Sequence, residues 1–141
     1  MPPMNEHGFL GKEIEQWIPK NRHAHREFFQ LVDDANRCCQ TSMYKLGPHK
    51  KNRQEVLVAI LYLRVLNNSQ AAVLLAERGL MPQCRILGRA TVEALFILCA
   101  IANNREYAND YVSEHQKNRL KYLNKYCQLH GGLPPMPIGR R

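Results

Sequence analysis

The sequence has no C-x-x-C pair, no H-E-x-x-H, no glycine-rich phosphate loop and no G-x-S-x-G. Those absences remove zinc-ribbon chemistry, zincin-type hydrolysis, Walker or dinucleotide sites and the α/β-hydrolase nucleophile in turn. No six-residue stretch alternates apolar with polar residues, so no strand with one buried face is predicted. The apolar stretches are interrupted by Arg64, Arg85, Arg89 and Glu93, and none is expected to span a membrane. The five cysteines are odd in number, which argues against a disulfide framework. The start, "MPPMNEHGFLGKEIEQW", has no basic segment leading into an apolar one, so no signal peptide is expected. The expected location is a reducing cytoplasm. Internal repeats and low-complexity segments are also lacking.

What is present is ordinary globular composition, 45% hydrophobic and 23% charged over 141 residues, enough for one domain with its own core. Lys and Arg number 20 against 12 Asp and Glu, a net charge of +8 that favours polyanions or acidic partners. The surplus is diffuse and forms no long basic run, which is a weak footprint for nucleic acid.

Helical periodicity organises the chain into an expected all-α fold, an antiparallel bundle of four main helices with a central helical hairpin 50–78/82–102. The pattern starts at Glu13, and Pro19 either interrupts it or opens the main helix. Helix one, "NRHAHREFFQLVDDANRCCQTSMYKL", carries apolar residues at a spacing near 3.6 and is closed by Gly47 and Pro48. Helix two ends at Arg78 with Gly79 as its left-handed cap, and Pro82 occupies the first position of helix three. Asn104 caps helix four, which Gly131 closes. Residues 1–12 read as a flexible arm, 13–131 as the helical domain and 132–141 as a Pro/Gly-rich tail or linker.

The segment "CRILGRATVEALFILCAIA", Cys84 to Ala102, is the most apolar of the chain, yet it holds Arg85, Arg89 and Glu93 at steps of four on one helix face. Arg89 and Glu93 can pair at i,i+4. Folding about the turn near Gly79 sets Glu77 near Arg85, and Ser69 or Gln70 near Glu93. The polar run of Asn67, Asn68, Ser69 and Gln70 then matches the stripe in height. Arg85, Arg89, Glu93, Asn67, Gln70 and Glu77 therefore form a candidate polar seam or ligand-binding site. Three readings stay open for the stripe: a solvated face, a satisfied network between helices, or a groove presenting arginines to phosphate or carboxylate.

Other constellations are poorer. No acidic residue stands three before any histidine, which excludes the Glu-x-x-His pairs of helical di-metal sites. His23 and His25 fall on different faces, and no metal or cofactor is expected. Cys38 and Cys39 diverge on a helix and read as packing residues. The tail "GLPPMP" can bind an aromatic groove as polyproline II, but a plain linker explains it more simply. Helix four interleaves tyrosines with Lys117, Arg119, Lys121 and Lys125, a candidate nucleic-acid-binding set. Tyr111, Leu120, Leu123 and Cys127 read more simply as its packing stripe.

The run "AAVLLAERGLMPQCRILGRATVEALFILCAIA", with Gly79, Arg85, Arg89 and Glu93, resembles a bacterial all-helical family catalogued only as a domain of unknown function. The resemblance covers residues 55–125. It implies an all-helical fold and further helices after the fourth in longer members, and it brings no activity with it. The pattern is also distantly similar to helical nucleotide-binding and toxin ribonuclease folds of prokaryotic defence systems. Those nucleases use R-x4-6-H, and no arginine here has a histidine at that spacing. The expected function is a non-catalytic helical interaction domain, with a protein partner or self-association, for example as a homodimer, and with the chain as the N-terminal part of a longer protein. The competing expectation is an RNA-directed factor using Arg85 and Arg89 with the lysines of helix four.

Overall fold

The computed structural model describes residues 6–49 and 51–130. The expected tail 132–141, the closing Gly131 and the first five residues of the arm lie outside the described residues. After a 3-10 turn at Gly8–Leu10 come α1 (Glu13–Ala24), α2 (Arg26–Met43), α3 (Arg53–Glu77), α4 (Met81–Asn103) and α5 (Arg105–His130). The described residues contain no strand, so the all-α class holds with five helices where four were expected.

The extra helix comes from a break at His25, whose backbone leaves helical geometry at φ −118° and ψ 37°. Hydrogen bonding is regular on either side, with His25 N–H donating to Asn21 and Phe29 N–H donating to His25, both at 3.1 Å. Pro19 lies inside α1, where its ring gives up one rung of the backbone ladder without ending the helix. α2 stops at Met43, short of Gly47. There the Thr41 and Ser42 hydroxyls donate to the carbonyls of Arg37 and Cys38 at 2.9 and 3.0 Å. The following turn tightens into i→i+3 bonds, Lys45 to Ser42 and Leu46 to Met43.

Asn52 starts α3. Its side-chain oxygen accepts from the N–H of Gln54 and Glu55, and its amide donates to Glu55 Oε1 at 2.7 Å. At the other end Gly79 has φ 79°, Gly79 N–H donates to Ala76 at 3.0 Å and Leu80 N–H to Leu75 at 2.9 Å. That is the Schellman pattern, and it puts the one residue without a side-chain penalty at the left-handed position. Pro82 follows as the second residue of α4. Asn104 caps α5, accepting from Glu106 N–H at 2.8 Å and Tyr107 N–H at 3.2 Å.

α3 and α4 make the most extensive contact of any two helices. The buried cluster is Leu61, Leu98, Ile101 and Ala108, with Leu57, Val58, Val65, Ile97, Tyr62 and Tyr111 packed around it. Gln54 seals its edge by donating to the last carbonyls of α4, Ile101 at 2.8 Å and Ala102 at 3.2 Å. α5 joins the core only at its base. Ala108 is 2% exposed, and no described residue from Ser113 onward is buried.

Candidate functional site

The polar groups of α3 are met from the side of α1 and α2. Arg22 of α1 donates to Glu77 of α3 and to Asp33 of α2, and its guanidinium carbon sits 4.9 Å from the centre of the Phe29 ring. Burial pulls the Arg22 pKa down, and the two carboxylates more than offset it, so it rises above its ordinary value. Asn21 donates its amide to the carbonyls of Ala76 and Glu77 at 3.0 and 3.1 Å, a second bond for Ala76, which also accepts from Gly79 N–H, and one for Glu77. Gln70 donates to Asn36 of α2 at 2.9 Å, and Ser69 bonds back to Val65. Asn67 is exposed.

The seam expected between α3 and α4 is therefore corrected. Glu77 and Gln70 do belong to an interhelical polar network, but their partners are Arg22 and Asn36, not Arg85 and Glu93. The residues of α4 that pack on α3 are small or apolar, with Ala94 and Leu98 buried, and the same rotation turns Arg85, Arg89 and Glu93 outward. Arg89 Nε donates to Glu93 Oε1 at 2.9 Å, and the pair is 84% and 61% exposed. Arg85 has no acidic partner among the described residues. The structure thus joins Arg89 to Glu93 and separates both from Asn67, Gln70 and Glu77. Arg22, Asn21 and Asp33 were missed because their partners lie across turns that periodicity does not see, 55 residues away for Arg22 and Glu77.

Two apolar surfaces remain uncovered. One is a groove of about 670 Å³ between α2, α3 and α4, with Val32, Ala35, Val65, Leu66 and Val73 among its lining and the Gln70–Asn36 pair at its wall. Tyr62 lies in it, donating its hydroxyl to the Cys39 carbonyl at 2.8 Å. Burial, followed by the neighbouring Cys39, pushes the Tyr62 phenol above its ordinary value. The other is the outward side of the two long helices, with Ile60, Leu63 and, at the rim of the groove, Leu74 on α3 and Ile86, Val92 and Phe96 on α4 exposed. Across the described residues, exposed large hydrophobics outnumber buried hydrophobic residues.

On α5, Lys117, Arg119, Lys121 and Lys125 are all exposed; of the stripe expected to pack, Tyr111 joins the core, Leu123 and Cys127 are half-buried and Leu120 is 59% exposed. All five cysteines are free. Among the described residues no three His, Cys, Asp or Glu side chains gather as a metal site. α3 and α4, expected not to span a membrane, are each long and apolar enough to cross a bilayer, with mean hydropathy 1.4 and 1.6 in their most apolar stretches, of which only 11% is buried.

The architecture defines the class, an all-helical domain centred on two long apolar helices whose outer sides are uncovered. Residues 55–134, covering α4, α5 and all of α3 but its first two residues, match the model of a family of unknown function, DUF5677. The match spans more than half of the chain, which belongs to that family. No curated protein and no solved structure matches the chain.

Proposed function

We propose that this chain is a non-catalytic helical interaction domain of the cytoplasm, in which α3 and α4 act as the central hairpin of a bundle that a protein partner completes. The observation that carries this reading is the uncovered apolar side of both long helices, Ile60, Leu63 and Leu74 with Ile86, Val92 and Phe96. Exposed apolar patches of that extent mark docking sites for proteins or membranes. A bilayer fits less well. Asn67, Asn68, Ser69 and Gln70 stand in the middle of α3, and polar groups at that depth are costly in hydrocarbon.

Light scattering on the eluting protein, run with a fluorescent apolar-surface probe, tests the reading. An oligomer supports it, as does a monomer that lights the probe. A monomer that leaves the probe dark overturns it, and so does quantitative binding to neutral lipid vesicles.

A second reading is an RNA-directed factor. It draws on the exposed row of Lys117, Lys121 and Lys125 at steps of four on α5, with Arg119 beside it and Arg85 and Arg89 exposed on α4. Such a factor shifts labelled RNA, and the shift falls steeply with salt. Failure of the chain to shift RNA at low salt removes this reading.

A further inference from the structure

We propose, building on the interaction reading above, that the partner is a second copy of this chain, docked antiparallel along the outer face of α4 through Ile86, Arg89, Glu93 and Phe96. These four residues are spaced three, four and three apart. That is the a–d–a–d rhythm of a coiled-coil seam, which keeps a straight line along the helix. All four face outward, Ile86 at 68% and Phe96 at 71% exposure and Arg89 and Glu93 with side chains 84% and 61% exposed.

The order of the four is self-complementary. Read forward it runs apolar, cation, anion, apolar, and read backward it runs apolar, anion, cation, apolar. A two-fold axis level with Thr91 sets Ile86 against the partner's Phe96, and Arg89 against the partner's Glu93. The same operation repeats both contacts on the other side, as an isologous interface requires. Val92, 49% exposed, lies beside the axis and meets its own copy. Each Glu93 already accepts from Arg89 of its own chain at 2.9 Å, so the axis gathers two cations and two anions in alternation.

The outer face of α3 lacks this property. Ile60, Leu63 and Leu74 surround Arg64 with no acidic residue on that face, and a two-fold there brings like charges together. Charge order therefore selects α4. Covering Ile86, Val92 and Phe96 in two copies, with the stems of Arg89 and Glu93, removes on the order of 1,000 Å² from water, the threshold for a specific interface. The apolar pairs supply affinity and the charge box fixes the antiparallel register.

Sedimentation velocity on the full chain tests this with two charge reversals, Arg89→Glu and Glu93→Arg. The native chain is expected to be a dimer. Each variant alone brings like charges face to face and weakens the dimer by about tenfold or more. Mixed in equal amounts, the two variants form a heterodimer in which every facing pair is again opposite in sign, and association returns. Circular dichroism on each variant keeps loss of fold apart from loss of pairing. A dimer indifferent to both reversals, or a mixture no tighter than its components, overturns the proposal. A native chain that is monomeric and lights the apolar-surface probe also overturns it while the broader interaction reading stands, whereas a dark monomer ends both.

Discussion

In α3, Gln70 is taken up by Asn36 and Glu77 by Arg22, while in α4 Arg85, Arg89 and Glu93 are left to solvent. The two helices have similar length and mean hydropathy, and each interrupts its apolar surface with polar residues. The difference lies in their neighbours. α3 touches α1, α2, α4 and α5, whereas α4 is covered chiefly by α3 and the base of α5. A polar group on the crowded helix is obliged to find a partner, since a buried unpaired one costs about 1–3 kcal/mol. On the uncrowded helix the same chemistry stays hydrated and free to meet something else.

The largest expected effect tests the side of α4 that the two helices share. Ile101 is 0% exposed, and Ile101→Ala should cost about 2–5 kcal/mol in urea unfolding through lost contacts and the cavity left behind. A loss below 1 kcal/mol, as flagged by the lower end for Ile→Val changes, contradicts the packing of α4 against α3 and α5. Glu77→Ala comes next, at about 1 kcal/mol, because it removes one of the two carboxylates that hold Arg22, while Asp33 keeps its pair and a third of the arginine side chain stays in solvent. If Glu77→Ala proves neutral, the inward network of α3 is no stronger than the outward pair of α4, and the contrast between the helices disappears. Asn104→Ala removes the cap of α5 and should cost about 1 kcal/mol, read by thermal unfolding.

Acid should act at the start of α3. Hydrogen bonds from the His49 backbone and ring hold Glu55 below its ordinary value of 4.5. A carboxylate with a lowered folded pKa contributes fully above 4.5 and loses that contribution as pH falls through the folded value. Protection of the amides at the start of α3, taken relative to intrinsic exchange at each pH, should therefore fall in that acidic window. The smallest effect is Arg85→Ala, within about 0.5 kcal/mol of native stability, since the side chain is solvated and has no acidic partner among the described residues. A larger loss assigns Arg85 to a structural contact.

The parts of this fold that local chemistry controls were legible. Gly79 before Pro82 marks a helix end because only glycine takes φ 79° without strain, and Asn104 marks a start because its short side chain reaches back to two N–H groups. The break at His25 was not legible, for neither glycine nor proline stands there. It falls just after Asn21 and Arg22, whose side chains reach across to the end of α3. The sign of α4 was hidden as well. Periodicity places Arg85, Arg89 and Glu93 on one face, and only the positions of the other helices decide whether that face looks in or out.

The distal half of α5 makes a further point. A helix rises about 1.5 Å per residue, so the stretch beyond Ser113 runs for about 25 Å without a buried residue among those described. Its described side chains are exposed or half-buried, and its amides should exchange with solvent readily when the chain is alone. That stalk is therefore a built-in gauge of company: slow deuterium uptake along it announces that another molecule has arrived, whatever happens on α4.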